Sequence, residues 1–201
     1  MRRLAMVFAL LLAFGACGDG DGAGVDAGDR ATTTTDADDG RSSTTVVDDI
    51  GDDGAFTTTR VSTPPEERGL LVAVRHASHG DVYRVVFEFD GGVPGYDVRF
   101  AERPIVQDGS GDEIAVGGAA VLTVDFEPSS AVDLQGEDAV ETYTGPKRIA
   151  VDSPQVAEIV RVGDFEGQLV WALGIAAGAE YRVTALTGPP RVVVDVRRSA
   201  S

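Results

Sequence analysis

Tyr83-Arg84-Val85-Val86-Phe87-Glu88-Phe89-Asp90 decides the fold. Side chains alternate across an extended strand with period two, so Tyr83, Val85, Phe87 and Phe89 share one face while Arg84, Val86, Glu88 and Asp90 share the other. Near the carboxyl end Pro190-Arg191-Val192-Val193-Val194-Asp195-Val196-Arg197 repeats the pattern, with Val192, Val194 and Val196 against Arg191, Val193, Asp195 and Arg197. Each segment supplies one fully apolar face to a core. The outward Arg84, Glu88, Arg191 and Asp195 are expected to form exposed cross-strand ion pairs worth a few tenths of a kcal/mol each.

The segments around these two strands keep the same period. Residues 70–75 read as a short apolar strand, and residues 76–81, with His76 and His79, read as the turn of a hairpin into Tyr83. Gly91-Gly92-Val93-Pro94-Gly95 is a turn, after which Tyr96, Val98 and Phe100 alternate with Asp97 and Arg99. A loop at residues 108–113 precedes a strand at 119–127, and the acidic, turn-rich stretch 128–150 reads as a long loop. Val156, Ile159, Val160 and Val162 partly fit a helical period, but the valines and the short length favour a strand. Strands at 169–173 and 180–186 then lead through Thr187-Gly188-Pro189-Pro190 to the last one. No segment carries three helical turns with both caps. The fold class is therefore all-β, an antiparallel β-sandwich or barrel of about 130 residues.

The chain upstream has a different composition. Met1-Arg2-Arg3 followed by eleven apolar residues through Phe14 matches an export signal and is too short for a spanning helix. Phe14-Gly15-Ala16-Cys17 resembles a bacterial lipobox with phenylalanine at the usual leucine position. Residues 1–16 are thus expected to be a signal peptide and Cys17 a lipid-attachment site, holding the protein at the outer face of the cytoplasmic membrane. An ordinary signal peptide cut nearby is the alternative. Residues 17–68, rich in Gly, Asp and Thr, are expected to be a disordered tether with a reach on the order of 40 Å.

Of the net charge of −16, the first 17 residues carry +2 and the segments 18–68 and 69–201 carry −9 each. A surface this acidic repels phosphate backbones, which excludes nucleic acid as a partner. The single cysteine excludes an internal disulfide and a multi-cysteine metal site.

Candidate chemistry is sparse. His76 and His79 could ligate zinc or copper, or serve as exposed turn residues, and no third ligand can be named. Asp108, Ser110, Asp112 and Glu113 echo a calcium loop but lack its sixth-position glycine and distal glutamate. There is no Gly-x-Ser-x-Gly and no histidine outside 76–79 to act as a base, so the expectation is a protein that is not an enzyme and needs no cofactor. A sugar-binding surface would draw on Tyr96, Tyr143, Trp171 and Tyr181 with Arg84, Arg99, Arg182 and Arg191. Tyr96, Trp171 and Tyr181 read more readily as core residues of alternating strands, and Tyr143, in a loop, is expected to be the exposed aromatic.

Residues 84–90 with Pro94-Gly95-Tyr96-Asp97-Val98-Arg99, then Asp108-Gly109-Ser110-Gly111, Phe165-Glu166-Gly167-Gln168 and residues 189–196, together resemble the AMIN-like domain of actinobacterial exported proteins and lipoproteins. The resemblance covers residues 69–198. It implies a β-sandwich, a cell-envelope address and association with peptidoglycan or another wall polymer, and it brings no catalytic residues. A module that docks an envelope enzyme or secretion machine is the alternative, and an extracytoplasmic metal protein using His76 and His79 is a third.

Overall fold

The computed structural model of the protein describes residues 54–199. The expected leader, Cys17 and the upstream part of the expected tether lie outside the described residues.

The described chain contains strands and no helix. After β1 (Val61–Thr63), β2 (Gly69–His79) and β3 (Val82–Gly91) form a long hairpin. Its turn is only Gly80 and Asp81, with Gly80 at φ +63°, so His76 and His79 lie on a strand and not in a turn as the sequence suggested. A two-residue connection of this kind needs a positive φ, which glycine adopts at no steric cost.

β4 (Gly95–Ala101) follows, then the small hairpin β5 (Ile105–Val106) and β6 (Glu113–Ile114), and β7 (Ala120–Glu127). The stretch expected to be one long loop instead carries four short strands: β8 (Ser129–Ser130), β9 (Val132–Asp133), β10 (Val140–Glu141) and β11 (Arg148–Ala150). β12 (Val156–Phe165) takes the strand alternative over the helical one. β13 (Gln168–Ile175), β14 (Ala179–Thr187) and β15 (Pro190–Arg198) complete the chain.

Two sheets hold most of these strands. One has the order β1-β4-β7-β13-β12-β11 and is antiparallel throughout, and the other has the order β14-β15-β3-β2-β8. Their inner faces meet in one core. From the second sheet come Tyr83, Val85, Phe87, Phe89, Val192, Val194 and Val196, the residues assigned inward from the sequence, and all are buried. The first sheet answers with Val98, Leu122, Val124, Phe126, Leu169, Trp171 and Leu173. The rings interlock across the layers: Phe126 lies 5.0 Å from both Phe87 and Phe89, and Trp171 lies 5.8 Å from Phe87. Tilted and edge-on pairs at such spacings stabilise by about 0.5–1.5 kcal/mol each beyond the area they bury. The architecture is a β-sandwich, as the strand pattern predicts.

The ordered domain begins earlier than Gly69. β1 pairs with β4 at Val61–Val98, Ser62–Asp97 and Thr63–Tyr96, and Thr57 exchanges both backbone hydrogen bonds with Tyr181. The Tyr181 hydroxyl lies 2.6 Å from the Thr59 carbonyl and 2.8 Å from that of Val98. Composition marks this stretch as tether because it is polar and threonine-rich, yet its backbone finds partners on two sheet edges.

A second, smaller core lies outside the first sheet. Ile105, Val116, Val121, Val162 and Ala172 pack there beneath β5 and β6, with Ala101, Ile114 and Val170 at its border. The hairpin therefore covers one end of that sheet's outer face and leaves the other end open.

Candidate functional site

Strand register assembles the open end residue by residue. Asp97 on β4 pairs with Asp125 on β7, which pairs with Val170 on β13, and Arg99 pairs with Thr123 in the next row. Because Val98, Val124 and Phe126 point into the core, Asp97, Arg99 and Asp125 must point out. Arg60, just before β1, reaches the same row and bonds the Asp97 carboxylate.

The result is an open groove of roughly 570 Å³ over the sheet, walled by Pro64, Pro65, Tyr96 and Gln168, with Asp97, Arg99 and Asp125 on its floor. It runs on into a smaller hollow that shares Arg99, Asp125 and Gln168 and ends at Asp108 and Pro104. One Arg99 nitrogen donates to Asp125 at 2.6 Å and lies 2.9 Å from Asp97. Burial pushes the Asp125 carboxyl up from its ordinary range against the pull of Arg99, and the neighbouring Asp97 and Asp108 charges add to the rise. Asp97 is also raised by burial, but its bonds to Arg60 and Arg99 and their charges together outweigh this and hold it low. Two carboxylates thus share one arginine, and the solvated one keeps its charge more firmly.

An aromatic ring stands beside the groove. Phe165 pairs with Gln168, one row beyond Val170, and is 49 % exposed, unusual for a phenylalanine of this domain. The β5–β6 loop rests on it, since a Cβ at Gly109 would meet the ring at 3.6 Å. The turn Phe165-Glu166-Gly167-Gln168 makes this presentation possible, with Glu166 and Gly167 both at positive φ, 51° and 82°. A ring beside an arginine, an amide and carboxylates offers one apolar contact and several fixed donors and acceptors. That combination suits a polyhydroxylated ligand.

The residues singled out from the sequence separate into four places. Arg99 lies at the groove, which Tyr96 also lines while it packs into the core. Tyr96, Trp171 and Tyr181 thus take the core alternative, and Tyr143 is a correction: it is buried, its hydroxyl donates to the Pro146 carbonyl at 2.9 Å, and its ring meets Trp171 edge-on. A loop residue was expected to be exposed, but the chain between β10 and β11 folds this one back onto the core. Arg84, Arg182 and Arg191 lie on the outer face of the other sheet.

Arg84 and Asp195 correct a second expectation, that of exposed and weak ion pairs. Arg84 Nε and Nη2 donate to the two Asp195 oxygens at 2.7 and 2.9 Å, Arg182 Nη2 donates to one of them at 2.7 Å, and all three residues are at least nine-tenths buried. Burial raises the Asp195 carboxyl, but the bonds and charges of Arg84 and Arg182 outweigh this and hold it below the usual carboxylate range.

His76 and His79 are exposed on β2. His76 Nδ1 lies 2.6 Å from the Tyr83 hydroxyl, and partial burial lowers the imidazole's pKa. Among the described residues no three His, Cys, Asp or Glu side chains are grouped as metal ligands. Asp97, Asp125, Gln168, Arg60 and Phe165 were not singled out from the sequence. Their outward parity was legible, but the pairing that makes them neighbours was not.

A family model, that of the AMIN-like domain, matches residues 69–198. The chain belongs to the AMIN-like domain family. The match spans both sheets and both faces of the groove except its β1 side, which AMIN-like residues 69–198 borrow from the preceding segment. The family points to the cell envelope as the domain's place of work. No curated protein and no solved structure matches the chain.

Proposed function

We propose that the protein is a non-catalytic cell-envelope lipoprotein whose AMIN-like domain associates with peptidoglycan or another wall glycan along the groove over β4, β7 and β13. The observation that carries this reading is the open channel with Arg99 between Asp97 and Asp125, lined by Gln168 and flanked by the exposed Phe165. A sugar ring stacks on Phe165 while hydroxyl and amide groups bond the arginine, the carboxylates and the glutamine amide. The lipobox-like Cys17 and the acidic stretch after it support an anchor at the outer face of the cytoplasmic membrane, from which the domain reaches into the wall. The actinobacterial origin of such chains belongs to the same reading.

Retention of the purified protein on native wall sacculi tests it. The natural chain should be retained and Phe165→Ala and Arg99→Ala should pass through while unfolding at near-normal denaturant concentrations. Equal retention of all three would remove the groove from the reading, and no retention of the natural chain would remove the reading itself.

Docking of an envelope protein is the second reading, favoured by one observation. Tyr181 turns its backbone groups away from β15 to meet Thr57, so Val183, Ala185 and Thr187 point theirs to the same side, where no described residue pairs with them. The stretch is uncharged, and an edge of this kind accepts an added strand. Abundant protein crosslinks through residues 183–187 in cells, without retention on sacculi, would favour docking.

A further inference from the structure

The larger hollow of the groove holds two guanidinium groups and three carboxylates, and most of them already satisfy one another. Arg60 bonds Asp97 from the rim, where its own side chain is 64 % exposed, and Arg99 serves both Asp97 and Asp125. Two groups keep bonding capacity. Arg99 uses only Nη1 on its two aspartates, so its Nε and Nη2 make no bond among the described residues, and the side chain is 42 % exposed. Glu127, the next outward residue after Asp125 on β7, lines the same hollow and is exposed. Its carboxylate has no hydrogen bond or ion pair among the described residues.

The register explains why these two stay open. Gly95 lies directly across from Glu127 and has no side chain to offer it. None could be added, because a Cβ there would come within 2.6 Å of the Pro65 Cα and 2.7 Å of the Glu127 carbonyl oxygen. Arg99 starts on the other side of the Asp97–Asp125 row, opposite Thr123, and its guanidinium leans back over that row. A planar fork and a lone carboxylate are thus set one two-residue step apart, roughly 7 Å along the strands.

Charge and spacing together narrow the ligand. Two arginines against three carboxylates leave a negative excess, so a bare carboxylate or phosphate is repelled even though the Arg99 fork fits it. A bare ammonium finds Glu127 but leaves the fork facing a like charge. A ligand carrying both charges is neutral as a whole and satisfies each group separately. Charge-assisted hydrogen bonds of about 2.8 Å at the two ends take up most of the step, so the two ligand charges must stand on neighbouring atoms.

We infer that the groove selects an α-ammonium carboxylate, the free end of an amino acid, with its carboxylate on Arg99 Nε and Nη2 and its ammonium on Glu127. Resting on the groove reading above, this assignment makes the wall element a peptide end with both groups free, as on a diamino-dicarboxylic acid residue, and leaves the Phe165 end of the channel to the sugar. A free amino acid presents the same chemistry.

The test titrates the purified protein with three probes of one chain length, norvaline, pentanoate and pentylamine, and follows the Arg99 Nε–H and Gln168 side-chain amide signals by NMR. Norvaline should shift both signals saturably and bind at least about tenfold tighter than either singly charged probe, the change expected when one charged partner is lost. In Glu127→Gln, a change at an exposed position that should leave the urea midpoint near normal, norvaline should bind no better than pentanoate. Pentanoate or pentylamine matching norvaline, or a Glu127→Gln variant that keeps the full preference, would overturn the inference. Sacculi separate the two sources. A norvaline preference with retention that is lost once an amidase has removed the stem peptides places the ligand in the wall. The same preference without retention on intact or stripped sacculi assigns the ligand to a free amino acid and removes the wall reading alone. Equal retention on both kinds without a norvaline preference overturns the amino-acid end and leaves the glycan groove in place.

Discussion

Asp195→Ala should be among the most damaging single substitutions in the domain. Its carboxylate accepts three charge-assisted hydrogen bonds from Arg84 and Arg182, and each arginine is about 93 % buried at its side chain. Removing the carboxylate leaves two like charges beside each other on a dry face. Breaking a buried pair in this way costs about 3–5 kcal/mol, because the desolvation already incurred is no longer offset. For a domain of this size that lowers the melting temperature by on the order of 10 °C. The assay is urea unfolding with the slope m held as a check on two-state behaviour. Two controls fix the interpretation. Arg75→Ala breaks an ion pair with Glu88 in which the arginine side chain is 45 % exposed, and should cost about 1 kcal/mol or less. The triple change Arg84→Met, Arg182→Met, Asp195→Leu should recover much of the single variant's loss, since the two guanidinium charges go together with the carboxylate between them. An Asp195→Ala variant within about 1 kcal/mol of the natural protein would refute the claim that this triad is buried and mutually dependent.

Other outcomes follow from the same structure. Asp97 and Asp195 are both held below the ordinary carboxylate range, so the stability they contribute is complete above the unfolded pKa near 3.9 and is lost as the pH falls through their folded values. Urea midpoints measured from pH 2 to 6 should drop on the acid side, and Asp195→Asn should flatten that drop. Trp171→Ala removes the largest fully buried side chain and should cost about 3–5 kcal/mol, read from the same unfolding curves. Gly174→Ala would bring a Cβ to 2.2 Å from the Gly117 carbonyl oxygen, pushing the 117–118 turn off β13, and should destabilise by about 1–3 kcal/mol. A chain begun at Gly69 loses β1, the Thr57–Tyr181 bridge and the Thr59 carbonyl bonded by Tyr181, and should melt well below a chain begun at Gly54.

Much of the fold was legible because a strand writes its environment into its own residues. The inward sets of β3 and β15 could be named from alternation alone, and all seven are buried. The short strands of residues 129–150 were not legible, since two or three residues carry no usable period and their pairing depends on neighbours distant in sequence. Tyr143 failed for a related reason. Position in a turn-rich stretch predicts exposure, but a contact with Trp171 on another element decides otherwise.

The sequence by itself determined the all-β class, the inward faces, the net acidity and the motif order that marks the AMIN-like family. These are properties of short segments or of composition, and each can be read where it stands. Only the tertiary structure decided that Arg99 has two aspartates for company, that Phe165 flanks the resulting groove, and that Arg84 and Asp195 are buried with Arg182 as their third member. Alternation tells which way a side chain points, but it does not tell which strand lies alongside. Sheet order brings Asp97 beside Asp125 across 28 positions of sequence and Arg84 beside Asp195 across 111, and charge, burial and chemistry at those places follow from the pairing.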